Sequence, residues 1–504
     1  MPVQRSIGRP DRLFFAALLL ISAAAAAGAL LARWDHSLNV DEPFTALALA
    51  QPLPALLETL RHDNTPAMYL ALKAWTTAAG ESETALRSLS ALFFGLTVLV
   101  TGLAGFELGG TRCGGLASLL VATSGRVGLL HAATVRPYAL AGLLAATAAW
   151  LTIAAIRRGS RGRGVLWTAL VVTHLVGLFT HPVYVFMAIG SAAAAGAALG
   201  SRGRPFAVAA LAALGIYGVT WGWMVRATMM LPATAWLAPP HPIDLWNSYL
   251  SLWGNRNGFI LAGATIALLT ATGAWTRILG DPLVRFAGFI AAFATIGPFA
   301  ASYVRPVFHA TRTPTLALPL IALTVAVIVA RLGTRILAVL LAGSLVVGGA
   351  QYVSASRRAG DPDPTRASVA RVLEGARCGD VLISAGLSYA PITYYLDRLD
   401  AAACIAHAPF PREIALHPGW IDAAAVARDR DGYEREAASI ATQLARSADR
   451  VFVFSKRQGI GAQAGELIGA ELSRGRPLLE TLPLRGAFFD RVLVYGRAAG
   501  DRMP

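Results

Sequence analysis

Residues 131–163 read HAATVRPYALAGLLAATAAWLTIAAIRRGSRGR. From Tyr138 to Ile156 no side chain is charged. A helix rises about 1.5 Å per residue, so about 20 apolar residues cross a ~30 Å hydrocarbon layer. This stretch is long enough to span. Arg157, Arg158, Arg161 and Arg163 close it, and Arg136-Pro137-Tyr138 opens it. Arginine excess marks the cytoplasmic flank of a membrane helix. The RRGSRGR end is therefore expected in the cytoplasm and the RPY end at the opposite face.

The same reading extends in both directions along the chain. Apolar stretches of spanning length fall at roughly 13–32, 84–106, 114–133, 138–156, 165–180, 182–200, 205–225, 258–276, 284–302, 314–330 and 336–350. This predicts a mainly α polytopic bundle of about eleven spans. The first span follows Arg5, Arg9 and Arg12 as a signal peptide would. Its apolar run exceeds the ~7–15 residues of a signal core, so it is read as retained. With the N-terminus in the cytoplasm, Arg112, Arg202, Arg204, Arg277, Arg285, Arg331 and Arg335 also fall there. An odd number of spans then puts the C-terminal domain outside. The chain is expected to cross a membrane many times.

Composition divides the chain in two. It has 504 residues, 55% hydrophobic and 14% charged, with a formal net charge of +15. About 10% of residues 1–354 are charged, against about 25% of residues 355–504. The second value is that of a soluble domain. The first belongs to a membrane domain, because a charge at the bilayer centre costs at least ~2.5 kcal/mol. So much apolar residue excludes disorder, and three cysteines exclude a disulfide scaffold. The basic excess sits mainly in the cytoplasmic turns, so it reads as topology and calls for no nucleic-acid partner.

Polar residues gather on the other face. The first outer loop, Arg33 to Gly80, holds Asp35, Asp41, Glu42, Glu58 and Asp63, and Glu81 and Glu83 follow directly before the next span. It is too long for a connector. Its apolar pieces, FTALALAQPLPALLETL and PAMYLALKAW, read as helices lying at the interface. In NVDEPF, Asp41 and Glu42 suit a general base or a metal, while Asn39 with Glu42 also fits a capping box. In RHDNTPAMY, His62 and Asp63 precede a Pro-started helix, which Asp63, Asn64 or Thr65 would cap. Arg136 suits a phosphate by its planar fork, or snorkels beside an interfacial Tyr138. His181 in FTHPVY, and Arg305, His309 and Arg312 in RPVFHATRTP, occupy the remaining outer turns. Carboxylates, arginines and histidines thus meet at one face of a lipid-embedded bundle. That combination suits a reaction on a lipid-linked phosphate.

At these residues the chain resembles the bacterial membrane glycosyltransferases of the GT-C fold, close to the protein O-mannosyltransferases and aminoarabinose transferases. The resemblance runs from residue 12 to about 330. It comprises VDEPF, DNTPAMY, WTTAAGESETALR, Arg136 to Leu140 (RPYAL), Thr180-His181 and a late arginine turn. Relatives often carry Arg-Tyr at that turn, where this chain has Arg312-Thr313, and an acidic residue shortly before RPY, where it has Ala133 and Thr134. The resemblance implies inverting transfer of a monosaccharide from a polyprenyl-phosphate donor to a hydroxyl of a glycan, lipid or protein acceptor. It implies Asp41 as general base. Glu42, His62, Asp63, Arg136, Tyr138, His181 and Arg312 would bind substrate. It implies no cofactor, and no metal is assigned. A flippase of a lipid-linked saccharide, and an oligosaccharide ligase or polymerase of the same fold, are the competing readings.

Beyond residue 354, GDVLISAG, RVFVFS and FDRVLVYG read as buried strands. SYAPITYYLDRL, GYEREAASIATQLARSA and AQAGELIGAELSRG read as helices, which makes a small α/β domain. Cys378 and Cys404 both lie there, and a disulfide between them is expected if the domain stands in an oxidising compartment.

Overall fold

A computed structural model describes residues 9–39, 41–61, 64–125, 131–158, 163–230, 239–253, 280–331, 364–399, 404–415, 429–458, 462–486 and 488–497, with isolated residues between them. The chain divides into two compact units. One comprises Met1–Trp34 and Leu60–Arg358, the other Asp35–Thr59 and Ala359–Pro504. Part of the first long loop, Asp35–Thr59, thus groups with the C-terminal residues.

The first unit is helical. Its described helices are α1 (Arg9–Leu31), α4 (Pro66–Ala79), α5 (Glu83–Ala122), α6 (Tyr138–Arg158), α7 (Arg163–Leu178), α8 (Tyr184–Leu199), α9 (Arg204–Met230), α10 (Pro242–Ser251), α11 (Pro282–Ala301) and α12 (Pro314–Ala330). The intervening α2 and α3 belong to the second unit. Among the described residues five helical segments are long and apolar enough to cross a membrane, and α12 and most of α7 form shorter apolar helices. The expected spans at 84–106 and 114–133 meet as the two arms of α5, which breaks at Gly109 and at Gly110, where φ is +74°. That left-handed turn is open to glycine and strained for other residues. The arms then run so close that a Cβ on Gly105 would meet the Gly114 Cα at 2.9 Å. The expected spans at 258–276 and 336–350 lie almost wholly outside the described residues.

The bundle core is built from small residues. Ala104, Cys113, Leu116, Ala117, Leu120 and Val121 of α5 pack with Ala322, Leu323, Ala326 and Val327 of α12. A second cluster joins α6, α7, α8, α9, α11 and α12. Alanine and glycine let helix backbones approach where lipid offers no hydrophobic drive for association. Arg87 is buried in α5 and donates to the Arg33 carbonyl at 3.1 Å, just past the end of α1. Such a bond satisfies a carbonyl that the end of a helix leaves open.

The second unit is α/β. Its helices are α2 (Glu42–Ala50), α3 (Leu53–Leu60, whose last residue falls in the first unit), α13 (Thr365–Gly375), α14 (Tyr389–Arg398), α15 (Arg430–Ser447) and α16 (Ala462–Ser473). Its strands are β1 (Val381–Ala385), β2 (Ala406–Phe410), β3 (Val451–Ser455), β4 (Leu478–Pro483) and β5 (Arg491–Tyr495). The sheet order is β2-β1-β3-β5-β4. β2, β1 and β3 run parallel, while β5 is antiparallel to β3 and to β4. The expected strands are β1, β3 and β5, the central ones, and β1 and β3 are buried throughout. The edge strands β2 and β4 were not legible. β2 reads AHAPF, with a proline that an edge tolerates, and β4 is largely exposed. Cys378 and Cys404 are joined, with Cα atoms 4.8 Å apart. Cys113 is a buried free thiol.

Candidate functional site

In the first unit the turns at one end of the bundle bring polar side chains together. Thr65 is extended and Pro66 opens α4, the arrangement DNTPAMY encodes. Ala67 N–H donates to the Phe179 carbonyl at 2.9 Å, tying the start of α4 to the end of α7. Tyr69, one turn into α4, is buried. Its hydroxyl donates to Asn64 Oδ1 at 3.2 Å and accepts from Arg136 at 3.3 Å. Arg136 stands in a tight turn, with its N–H on the Thr134 carbonyl at 2.7 Å. Pro137 and Tyr138 then begin α6.

Tyr138 is buried between two histidines. Its ring lies edge-on to His131 with centroids 4.6 Å apart, and 5.5 Å from that of His181. His181 Nδ1 accepts the Val183 N–H at 3.1 Å. A neutral imidazole accepting at Nδ1 carries its proton on Nε2. Burial, then the charges of Arg136 and Arg312, push His181 down to about 3. It is neutral at pH 7 and offers Nε2–H as a donor. His309 repeats the device, with Nδ1 accepting the Thr311 N–H at 3.3 Å.

Arg312 comes from the turn between α11 and α12. That turn is bonded within itself. Ser302 Oγ accepts the N–H groups of Val307 and Phe308 at 2.9 and 2.7 Å, and Thr313 Oγ1 accepts the His309 N–H at 2.9 Å. Arg312 N–H reaches the His309 carbonyl at 3.1 Å. Arg33, His309 and Arg312 lie around His131. Beneath His131 and Tyr138 is a cavity of about 20 Å³, walled by Phe94, Thr97, Thr315 and Leu318, room for about one water. The cluster thus gathers guanidinium groups and histidines whose hydrogen bonds hold them in place. Fixed donors of this kind suit an anion.

The expected residues Arg136, Tyr138, His181 and Arg312 meet here. His62 and Asp63 lie outside the described residues. Asn64, Tyr69, Arg33, His131 and His309 join the cluster without having been singled out as binding residues. The signal for the first two is in DNTPAMY, where a helix beginning at Pro66 carries Tyr69 back over the turn that holds Asn64.

Asp41 and Glu42 stand in the second unit. Asp41 is the N-cap of α2 but its side chain makes no capping bond. Its carbonyl accepts Thr45 N–H at 3.3 Å. Glu42 is fully buried. Its carboxylate turns back to the Asn39 N–H at 2.9 Å. This is the Glu42 half of the expected Asn39–Glu42 capping box, although α2 itself begins two residues later, with Asp41 as its N-cap. The bond gives Glu42 a structural task at the start of α2. Among the described residues, no group of three or more His, Cys, Asp or Glu side chains is placed to share a metal ion.

No protein-family model matches the sequence, and no curated protein matches it. Solved structures do match. ArnT from Cupriavidus metallidurans in the apo state superposes with a TM-score of 0.64 at 12% identity, covering 97% of this chain and 99% of that one. The same protein bound to undecaprenyl phosphate gives 0.61 at 11% identity, covering 98% of each chain. The archaeal oligosaccharyltransferase AglB from Archaeoglobus fulgidus, in complex with an inhibitory peptide and a dolichol-phosphate, gives 0.53 at 12% identity, covering 99% of this chain and 75% of that one. At such identities the likeness is one of fold, and the chain has the GT-C fold shared by these two proteins.

Proposed function

We propose that the chain is a membrane glycosyltransferase. It moves a monosaccharide from a polyprenyl-phosphate donor to an acceptor hydroxyl, at the extracytoplasmic face of a bacterial inner membrane. The observation that carries this reading is the cluster of Arg136, Arg312, His181 and Tyr69 at one end of a helix bundle. Its fold is that of a protein bound elsewhere to undecaprenyl phosphate. Two guanidinium groups and an imidazole Nε2–H match a lipid phosphate at the bilayer edge.

In the reaction the acceptor oxygen attacks the anomeric carbon. The bond from that carbon to the phosphate oxygen breaks, and its electron pair leaves with the polyprenyl phosphate. Negative charge grows on the phosphate as the sugar becomes oxocarbenium-like. Fixed cations stabilise that charge most when it is largest, so they lower the barrier as well as bind. Asp41 takes the proton of the acceptor hydroxyl. One displacement with one base inverts the anomeric centre.

The test uses the full chain in membranes, with a panel of undecaprenyl-phosphate hexoses and pentoses. Wild-type protein transfers sugar from at least one of them. Asp41→Asn and Arg136→Ala abolish most of that transfer in protein that remains folded. Full activity in both variants overturns the reading. The likeness to AglB supports a second reading, an oligosaccharide donor. Faster transfer from oligosaccharide lipids than from monosaccharide lipids would establish it.

A further inference from the structure

The segment that carries Asp41 is held by residues remote from it in sequence and within the same unit. Leu38 is fully buried, and its N–H donates to Tyr395 Oη at 2.7 Å. Tyr395 is buried too and stands on α14, against which α2 packs. Ser37 is buried, and its Oγ accepts the Arg366 N–H at 3.1 Å from the first turn of α13. These two grips lie three and four residues ahead of Asp41. On its other side Glu42 returns to the Asn39 N–H, and the Asp41 carbonyl enters α2. The main chain is thereby fixed before and after Asp41 by bonds that leave its carboxylate out of the helix cap.

We propose that Tyr395 and the Ser37–Arg366 bond are positioning elements for Asp41, and that the C-terminal α/β domain serves as the holder of the general base. The inference rests on reading Asp41 as that base. A base must lie within hydrogen-bond reach of the proton it removes. A shift of about 1 Å costs up to about 100-fold in rate. An unsupported loop does not keep that tolerance, whereas a buried hydroxyl on the main chain does. Tyr395 gives up none of its ring packing when its hydroxyl is removed, so the effect of the grip is separable from that of the fold.

The test compares Tyr395→Phe, Ser37→Ala, Asp41→Asn and the double variant Tyr395→Phe/Asp41→Asn in the full-length protein. Transfer is measured with the undecaprenyl-phosphate sugar that wild type uses fastest, binding with undecaprenyl phosphate itself, and loop order by hydrogen exchange of peptides covering residues 35–45. Tyr395→Phe is expected to lower kcat about 10- to 100-fold. Donor KM and undecaprenyl phosphate binding stay within about twofold of wild type, exchange at 35–45 speeds up, and Asp41→Asn loses nothing further when combined with Tyr395→Phe. Ser37→Ala follows the same pattern more weakly. Two results overturn the positioning role: wild-type kcat despite faster exchange, or an equal kcat loss with and without the Asp41 carboxylate. Full activity of Asp41→Asn instead overturns the assignment of the base. The two failures are therefore distinct.

Discussion

The turns at the end of the bundle and the segment 35–42 hold charge in opposite ways. At the bundle end the side chains themselves are fixed. Arg136 rests on Tyr69, Tyr138 is packed between His131 and His181, and His181 is locked to one tautomer by Val183 N–H. In segment 35–42 it is the main chain that is fixed, by Tyr395, Ser37 and Glu42, and the Asp41 side chain is left out of the cap. On the proposed reading the difference follows from the tasks. An anion site works by presenting donors that need not move. A general base must be held within reach of the proton it removes, and bonds to the main chain around it serve that end.

The comparison breaks most sharply by substitution at its two centres. Asp41→Asn keeps shape and removes basicity, so kcat should fall about 10²- to 10⁴-fold with donor KM little changed. Arg136→Ala should cost about 10²-fold in kcat/KM and also weaken binding of undecaprenyl phosphate. Arg136→Lys restores the charge without the planar fork, so it should recover only part of the loss. Steady-state kinetics with a titration of undecaprenyl phosphate separate the two patterns. Equal losses of binding in both variants would erase the distinction between the regions.

The two units also differ in how their histidines respond to pH. His181 and His407 are both pushed down by burial, to about 3 and about 4. His181 has Arg136 and Arg312 beside it, while His407 has the Ser384 hydroxyl at 2.5 Å and the stacked ring of Tyr389. An unfolded histidine titrates near 6.5. Below that pH the unfolded chain binds a proton that folded His407 refuses, so stability falls as pH falls from about 6.5 to about 4 and then levels off. The loss from this one group is about 3 kcal/mol at most. His407→Gln should flatten the acid limb of chemical denaturation followed on the C-terminal unit. An unchanged limb would mean that other groups set it.

Glu42→Ala tests the scaffold around Asp41. It leaves the part-buried Asn39 N–H without its carboxylate, which costs about 1 kcal/mol. Thermal unfolding should register that loss. On the proposed reading activity should fall less than in Asp41→Asn, because Asp41 is still present. A larger fall in activity than in Asp41→Asn would place Glu42 in the chemistry.

These contrasts mark what the sequence made legible. Arg136, Tyr138 and His181 stand out because they interrupt apolar stretches at their ends, where a bilayer leaves few reasons for a polar residue. The meeting of Tyr69 with Arg136 was not readable, since it depends on the start of α4 being pinned to Phe179. The burial of Glu42 was not readable either, because a local pattern does not say whether a carboxylate turns inward. Tyr395 was invisible as a partner of Leu38 because 357 residues separate them. The span pattern carried the bundle, for hydropathy is local. The break of α5 at Gly110 and the edge strands β2 and β4 depend on neighbours in space.

The smallest expected effect sharpens the comparison most finely. Arg366 contacts the Asp41-bearing segment through both its main chain and its side chain. Its N–H bonds Ser37 Oγ, and its guanidinium reaches the Asp35 carboxylate at 2.7 Å and the Asp35 carbonyl at 3.2 Å. The side chain of Asp35 is 88% exposed and that of Arg366 38% exposed. Exposed pairs contribute about 0–1 kcal/mol, and salt screens them. Arg366→Ala deletes the ion pair and the exposed bond to the Asp35 carbonyl and keeps the buried main-chain donor to Ser37, so transfer should stay within about threefold of wild type at moderate salt. Ser37→Ala deletes the buried acceptor and should cost more. If Arg366→Ala were the more damaging of the two, the segment would be held by charge at its surface, and the contrast between fixed side chains in one region and a fixed main chain in the other would fail.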